Sequence, residues 1–185
     1  MSNYKKIDSY LDKNLDQSLD ELKRYVSQPS ISAQNLGLKE CAQIVKEMLE
    51  KRGFKAEIMS TDGAPVVFAE RKGKSDKTLL IYNHYDVQPP EPLDLWESPP
   101  FEPEIRNGKM YGRGVSDDKS HLTSRLFAID SILDEDGELP CNILVCAEFA
   151  MLNFRWSHSG LTFTRGWVAV SCPTRRGDSL GHWPA

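Results

Sequence analysis

The sequence predicts a layered α/β domain over its first 148 residues, and two kinds of hydrophobic pattern support this prediction. Some stretches place apolar residues three and four positions apart, which is the spacing of one helix face. Other, shorter stretches are apolar runs of the strand type. Because helical and strand patterns alternate along the chain, we expect helices that cover a sheet in layers.

Three helical patterns are present, two near the start of the chain and one in its second half. Residues 4–26 carry an apolar stripe that ends near Pro29, since proline cannot continue a helix. Residues 38–49 carry a second stripe, and Gly53 supplies a stop at its C-terminus. The spacing of the leucines and isoleucine in residues 122–133 predicts the third helix.

Strand-type runs and loops complete the layout. The proline-rich stretch from Pro89 to Pro103 predicts an extended loop, because proline fits the interior of neither helix nor strand. The acidic stretch 134–137 predicts a turn between the third helix and the last strand. The predicted strands cover residues 54–59, 65–70, 78–82 and 141–146.

Composition narrows the class of protein. The chain has 185 residues and a formal net charge of -4, so it lacks the basic character typical of nucleic-acid-binding proteins. Its polar start does not resemble a secretory signal, and no apolar run reaches the roughly 18 residues that span a bilayer. The four cysteines lack the spacing of a metal knuckle or a disulfide framework. We therefore expect reduced thiols in a cytoplasmic protein.

The composition changes abruptly after Glu148. Residues 149–185 hold four arginines, one aspartate and no lysine, for a charge of +3, whereas the 19 basic and 26 acidic residues of 1–148 give -7. The same tail holds three of the four tryptophans. We expect residues 1–148 to form one domain and residues 149–185 to be a tail from a shifted reading frame or unrelated DNA. An ordinary C-terminal subdomain of different composition is the alternative.

The first motif that carries chemistry follows the strand-type run 78–82 and reads Asn-His-Tyr-Asp-Val-Gln-Pro-Pro from Asn83. Ligand sites in open α/β sheets lie beyond the carboxyl ends of strands. Residues two apart in extended backbone point to the same side, so His84 and Asp86 can face one crevice. A metal-bound imidazole commonly donates its second N–H to a carboxylate, which makes this pair a candidate ligand and orienting group. A structural or solvated histidine at a strand end is the alternative.

The second motif, Gly-Arg-Gly-Val-Ser-Asp-Asp-Lys, spans residues 112–119 just before the third predicted helix. Gly112 and Gly114 permit a tight turn and a close approach of the backbone. The adjacent carboxylates of Asp117 and Asp118 are candidate oxygen ligands for a metal ion. The alternative is that they cap the helix N-terminus, an interpretation that suits Asp118 better than Asp117.

Together the two motifs resemble the metal-binding half of the zinc aminoacylase and dipeptidase family, which includes carnosine dipeptidases, carboxypeptidase G and succinyl-diaminopimelate desuccinylase. The resemblance covers about residues 10–148, and Asp-Val-Gln-Pro from Asp86 with the Asp-Asp-Lys form is similar to the dipeptidase branch. It implies a layered α/β metallopeptidase catalytic domain with a mixed sheet between helices. Here that domain would be truncated, without the lid or dimerisation domain of a family that is often homodimeric.

The resemblance also implies a cofactor and the roles of three residues. His84 would bind one of two zinc ions, Asp117 would bridge both ions, and Asp86 would be the catalytic aspartate that orients the site. Cobalt or manganese could substitute for zinc. The implied reaction is hydrolysis of an amide bond in a small peptide or an N-acyl amino acid, with neither nucleic acid nor membrane as a partner.

The general base of the family is the first of two glutamates that follow the strand entering the site, and the second glutamate binds metal. An ungapped alignment from Asp117 puts this pair at positions 151 and 152, where the chain has Met151 and Leu152. Neither side chain can take a proton or bind zinc through oxygen. Glu148 matches the glutamate three positions before the pair and is not the base.

We therefore expect a dipeptidase-like zinc hydrolase by family, whose chain here is inactive. A non-catalytic remnant or pseudogene product agrees with the same ancestry and differs only in activity. A deacylase of N-acyl amino acids is a further alternative. His158 and His182 lie in the tail, where no neighbouring residue matches the family, so neither receives a role.

Overall fold

The computed structural model describes residues 4–149, together with the backbone of residues 154–157 and 160–163. The chain divides into two compact units, Met1–Ala150 and Met151–Ala185. The described part of the second unit is one antiparallel pair of short strands.

Three α-helices form where the sequence predicts them. They are α1 (Lys5–Ser27), α2 (Leu38–Glu50) and α3 (Ser120–Asp136). The end of α1 falls just before Pro29, and α2 runs into a turn that reaches Gly53. Gly53 has a φ of +71°, a left-handed conformation that glycine adopts without strain. The two predicted helix stops are therefore confirmed.

The end of α3 differs from the prediction. The sequence predicts a turn over residues 134–137, but the helix continues through Asp136 and only Gly137 leaves it, with a φ of +74°. The N–H of Gly137 donates to the carbonyl oxygen of Leu133 at 2.9 Å, which closes the last turn. The acidic residues are compatible with a helix, and the chain changes direction where glycine permits the left-handed conformation.

Eight strands lie in the described residues. The third strand is longer than the predicted run 78–82, since its pairing extends it to His84. A hairpin between the fourth and fifth strands was missed, although Asn107 and Gly108 (φ 51° and 72°) form the two-residue turn that Asn-Gly favours. The strands are β1 (Lys55–Met59), β2 (Val66–Arg71), β3 (Ser75–His84), β4 (Glu104–Arg106), β5 (Lys109–Tyr111), β6 (Cys141–Glu148), β7 (Phe154–Ser157) and β8 (Gly160–Phe163).

The main sheet has four strands in the order β1-β2-β6-β3. β2 is antiparallel to both β1 and β6, whereas β3 is parallel to β6. The predicted α/β class with a mixed sheet is therefore confirmed. The parallel pair brings the carboxyl ends of β3 and β6 to the same edge, with His84 opposite Glu148. That edge is where the sequence predicts the site.

The hydrophobic core lies against the sheet face formed by alternate strand residues. Buried residues of α2 and α3, with Tyr25 of α1, join this face in one cluster. Fully burying an aliphatic side chain contributes about 1.5–3 kcal/mol, so this cluster is a main source of stability. The strand residues of the cluster are Val67, Ala69, Ile81, Ile143, Val145 and Ala147, and the helix residues include Cys41, Val45, Leu49, Leu122, Leu126 and Ile129.

A buried charge cluster ties the three helices together. Arg52, just after α2, is almost fully buried. Its Nη2 donates to Glu21 of α1 at 2.6 Å and to Asp130 of α3 at 2.7 Å, while its Nη1 donates to the carbonyl oxygen of Met48 at 2.8 Å. A buried guanidinium is tolerated because it is paired with carboxylates in this way.

The fold bears on the cysteines and on membrane-spanning segments. Cys41, Cys141 and Cys146 are free in the described residues, and Cys172 lies outside them. Within the described part of the chain, none of the helices combines the length and apolar composition that crossing a membrane requires.

Candidate metal centre

His84 is the last residue of β3 and lies at the sheet edge where β3 and β6 both end. The N–H of the next residue, Tyr85, donates to the carbonyl oxygen of Glu148 at 2.8 Å, which holds the chain beside β6 past the end of the strand. The imidazole of His84 is 23% exposed. The histidine is therefore fixed through its backbone while its ring reaches the surface.

Asp86 fixes the orientation of that ring. The Asp86 carboxylate is buried, and its Oδ1 lies 3.2 Å from Nδ1 of His84. The carbonyl oxygen of Asp86 is also 3.2 Å from the same nitrogen. The hydrogen bond to the Asp86 side chain raises the pKa of His84 to about 9, although burial opposes this shift. The structure thus brings together the two residues that the sequence places on one side, and Nε2 is the nitrogen left to face outward.

The second motif forms the turn that leads into α3. Gly114 has a φ of +87°, and a Cβ there would lie only 2.5 Å from Cγ1 of Val87, so both the conformation and the space require glycine. The peptide between Asp117 and Asp118 is cis. Oδ1 of Asp117 lies 3.0 Å from Nε2 of His84. The turn therefore delivers the first aspartate to the outward nitrogen of the histidine.

Asp118 does not cap α3, so the alternative interpretation of this residue is wrong. The N-cap position of α3 is Lys119, and no side chain bonds to the cap. The Asp118 carboxylate instead points back to β3, where Oδ2 accepts from Nδ2 of Asn83 at 2.7 Å and from the N–H of His84 at 3.3 Å. Oδ1 contacts Nδ1 of His121. Asp118 thus supplies an acceptor to donors at the end of β3 that would be costly to leave unpaired.

Sequence reasoning gave no role to Arg113 and Lys119, the two basic residues of the second motif, but the structure gives both of them partners. Lys119 is fully buried, and burial lowers the pKa of its ammonium group. Arg113 donates from Nη2 to the carbonyl oxygen of Pro89 at 3.1 Å and lies 5.3 Å from the ring centre of Trp96. Arg113 therefore connects the turn to the proline-rich loop.

Glu148 is a third residue whose position the sequence could not predict. It is fully buried, and Oε1 accepts a hydrogen bond from the Tyr82 hydroxyl at 2.5 Å. Within residues 4–149, Oε2 has no hydrogen-bond partner. Burial raises the pKa of this carboxyl group above its usual value. The sequence signal that could have drawn attention to Glu148 is an acidic residue at the end of an apolar strand.

The pair formed by His84 and Asp117 fits a metal ion. Two ligands of one tetrahedral zinc ion lie about 3.3 Å apart, given bonds of about 2.0–2.1 Å. The observed separation of 3.0 Å between Nε2 and Oδ1 is close to that value. Among the described residues, however, no group of three or more His, Cys, Asp or Glu side chains converges on one point. Catalytic zinc sites use three protein ligands, so His84 and Asp117 alone would not complete one. Positions 151 and 152 lie outside the described residues.

Comparison with known proteins identifies relatives of this chain. Residues 80–150 match the profile described as Peptidase family M20/M25/M40. The Cys-Gly metallodipeptidase dug1 of Schizosaccharomyces pombe is 36% identical over 159 residues, which cover 77% of this chain and 33% of that protein. The succinyl-diaminopimelate desuccinylase of Dechloromonas aromatica is 34% identical over 125 residues, or 68% of this chain and 32% of that protein.

A solved structure extends the likeness to three dimensions. An M20 family metallo-carboxypeptidase from Sulfolobus solfataricus has a TM-score of 0.68 and 45% sequence identity, covering 71% of this chain and 30% of its own. The chain thus spans about a third of the length of the curated relatives it matches. The resemblance inferred from the two motifs is confirmed: the chain carries the N-terminal part of a metallopeptidase catalytic domain of the M20 family.

Proposed function

We propose that residues 1–148 form the metal-binding half of a metal-dependent hydrolase that cleaves peptide or amide bonds, with zinc as the metal and dipeptides as the substrates. The observation that carries this proposal is the placement of His84 between two carboxylates. Asp86 holds Nδ1 at 3.2 Å, and Asp117 meets Nε2 at 3.0 Å. The Asp86 carboxylate orients the ring, and the Asp117 carboxylate lies beside the nitrogen that would bind the metal ion.

Each of the three residues has a separate task in this proposal. His84 and Asp117 would hold the ion, which in such centres activates a water molecule and polarises the scissile carbonyl group. Asp86 keeps the proton on Nδ1, so that Nε2 is the ligating nitrogen. Because the pKa of His84 is about 9 in the metal-free protein, the imidazole must release a proton when it binds metal.

The same proposal includes the absence of appreciable peptidase activity in this polypeptide by itself. The positions aligned with the general base and with the next acidic ligand are Met151 and Leu152, which supply neither a proton acceptor nor an oxygen ligand. We expect no hydrolysis of dipeptides by the purified chain with added zinc, manganese or cobalt. Turnover that disappears in a His84→Ala variant would contradict this expectation.

A deacylase of N-acyl amino acids is the second candidate function. It is supported by the desuccinylase from Dechloromonas aromatica, whose identity over this region is similar to that of the dipeptidase. Any activity found should be measured with dipeptides and with N-succinyl and N-acetyl amino acids side by side. Preference for the acylated substrates would favour the deacylase.

Metal binding is the direct test, and Mn²⁺ is a suitable probe because paramagnetic broadening of NMR signals detects weak sites. We expect Mn²⁺ to broaden the backbone signals of His84, Asp86 and Asp117 before all others. His84→Ala and Asp117→Asn should abolish this selective broadening. Asp12→Asn is the matched control, since it makes the same change as Asp117→Asn at an exposed position of α1 and should leave the broadening unchanged. Broadening that persists in both ligand variants would refute the proposed site.

A further inference from the structure

Lys119 ends the second motif, and its side chain is fully buried, which is rare for lysine. Its Nζ donates to the carbonyl oxygens of Tyr25 at 2.9 Å and Gln28 at 2.7 Å. We propose that Lys119 is a positioning residue for the metal centre, which it serves by fixing the Asp117–Asp118 turn to the C-terminal end of α1. This inference rests on the proposed function, because it concerns how the ligand Asp117 reaches His84.

The anchor at α1 suits a cation for three reasons. Tyr25 lies in the last turn of α1 and Gln28 is its C-cap, so their carbonyl oxygens belong to the end of the helix where carbonyls lack intrahelical donors. The helix dipole also places partial negative charge at this end. In addition, Nζ lies 4.9 Å from the centre of the Tyr25 ring, within the range of a cation–π interaction. The ammonium group therefore exchanges water for a set of fixed acceptors.

The turn closes tightly around the lysine. The N–H of Lys119 donates to the carbonyl oxygen of Gly114 at 3.0 Å, which joins the two ends of the turn. A Cβ at Gly114 would lie 3.5 Å from Cδ of Lys119, so the glycine backbone packs directly beside the lysine stem. Backbone closure and side-chain anchor thus act on the same six-residue turn, residues 114–119.

The opposite side of the turn is held by Asp118. Its Oδ2 accepts from Nδ2 of Asn83 and from the N–H of His84, both at the end of β3. Asp117 directly precedes these two attachments in the chain, and its side chain is 83% exposed. A side chain so exposed has little packing to hold it, so its position depends on the residues on either side. Metal ligands need such supporting contacts, because small displacements weaken binding.

A positioning role can be distinguished from a merely stabilising one by comparing two neighbouring amides. The His84 N–H is bonded to the Asp118 carboxylate, which belongs to the turn. The Tyr85 N–H is bonded to the carbonyl oxygen of Glu148, which belongs to β6. Loss of global stability would increase the hydrogen exchange of both amides by the same factor. Release of the turn would expose the His84 amide selectively.

The experiment is amide hydrogen exchange by NMR on the full chain with Lys119→Met, which removes the ammonium group but keeps the length of the side chain. Lys39→Met is the matched control, because it makes the same change at an exposed position of α2. We expect the protection of the His84 amide to fall by at least about tenfold more than that of the Tyr85 amide. The control should leave the ratio of the two unchanged.

An equal fall in both amides, or no change in their ratio, would overturn the positioning role. If Lys119→Met does not fold, Lys119→Gln replaces it, since the amide retains donors for one carbonyl, and the same ratio decides. A second measurement is the Mn²⁺ broadening of the Asp117 signal. In the Lys119 variant this broadening should need a several-fold higher Mn²⁺ concentration. If the unaltered chain shows no broadening, the proposed metal site fails, while the exchange ratio still tests whether Lys119 holds the turn.

Discussion

Arg52 and Lys119 are both buried cations, but the structure holds them in different ways. Arg52 is surrounded by the carboxylates of Glu21 and Asp130, which come from two other helices. The hydrogen bonds of Lys119 go to two main-chain carbonyl oxygens at the end of α1. One cation joins whole helices through paired charges, and the other joins a short turn to a helix end.

This difference predicts that Arg52 mainly stabilises the fold, whereas Lys119 mainly fixes the geometry of the proposed metal site. A buried charge whose partner is removed is strongly destabilising, so substitution of Arg52 should lower the stability of the domain more than substitution of Lys119. The Lys119 anchor lies beside Asp118 and Asp117, so its loss should be felt at the metal centre first. Substitutions at the two places should therefore have opposite profiles, with large changes in stability at one and large changes in metal binding at the other.

The largest expected effect is that of Arg52→Met. It leaves Glu21 and Asp130 without their shared partner, and we expect the free energy of unfolding to fall by about 3–5 kcal/mol. Urea denaturation of both proteins measures this difference. Lys51→Met is the control, because Lys51 is 54% exposed and its Nζ lies 3.5 Å from Glu21, so it should change stability by less than about 1 kcal/mol. Equal effects of the two variants would contradict the comparison.

Asp118→Ala should have the next largest effect. It removes the acceptor of the Asn83 amide and of the His84 N–H, and buried donors left without a partner cost about 1–3 kcal/mol each. Because the His84 N–H is only part-buried and its bond is 3.3 Å long, the sum should lie at the lower end, and we expect a loss of about 2–3 kcal/mol in the free energy of unfolding, measured by the same denaturation. Asp118→Asn keeps one acceptor oxygen and should lose less. A loss below about 0.5 kcal/mol for Asp118→Ala would show that Asp118 behaves as a surface residue.

Glu148→Gln should have a smaller effect that depends on pH. Burial raises the pKa of Glu148 above its usual 4.5, so the folded state binds this proton more tightly than the unfolded state. The carboxyl group therefore costs nothing below pH 4.5 and becomes destabilising as pH rises through its folded pKa. The glutamine stays neutral and can still accept from the Tyr82 hydroxyl.

The stability advantage of Glu148→Gln over the unaltered chain should thus be near zero in acid and grow towards neutral pH. Denaturation of both metal-free proteins across this range measures it. A difference that does not vary with pH would mean that burial does not perturb Glu148.

The smallest expected effect on stability is that of Asp117→Asn, which sharpens the comparison most. Its side chain is 83% exposed, so the free energy of unfolding should change by less than about 0.5 kcal/mol. Selective Mn²⁺ broadening should nevertheless disappear, because the carboxylate is one of the two proposed ligands. Calorimetric titration with zinc should agree. Two tightly bound zinc ions per chain in the unaltered protein would contradict a site that has only His84 and Asp117.

Much of the fold was predictable because its signals are local. The apolar stripes of α1 and α2 and the glycine at the end of α2 specify helices and a stop through spacing alone. The hairpin at Asn107 and Gly108 carried an equally local signal that was overlooked. The turn predicted over residues 134–137 was wrong because acidic residues are compatible with a helix, and only Gly137 breaks it.

The candidate site also has one part that follows from local sequence and another part that does not. His84 and Asp86 are two residues apart on extended backbone, so their common orientation follows from the period of a strand. Asp117 and Asp118 are adjacent and chemically identical, and no local rule says which is exposed and which is buried. The side chain of the first is 83% exposed and that of the second 12% exposed, because only the second finds donors on β3.

The sequence by itself determined the class of fold, the two motifs, and the residue types available for a metal ion. Only the tertiary structure decided that Asp117 meets His84 across 33 positions of chain, that Asp118 supports the strand instead of capping α3, and that Lys119 reaches the end of α1 across more than 90 positions. The physical reason is the range of the interactions. Helix and strand periods act over a few residues, whereas buried hydrogen bonds select partners that only the folded chain brings together.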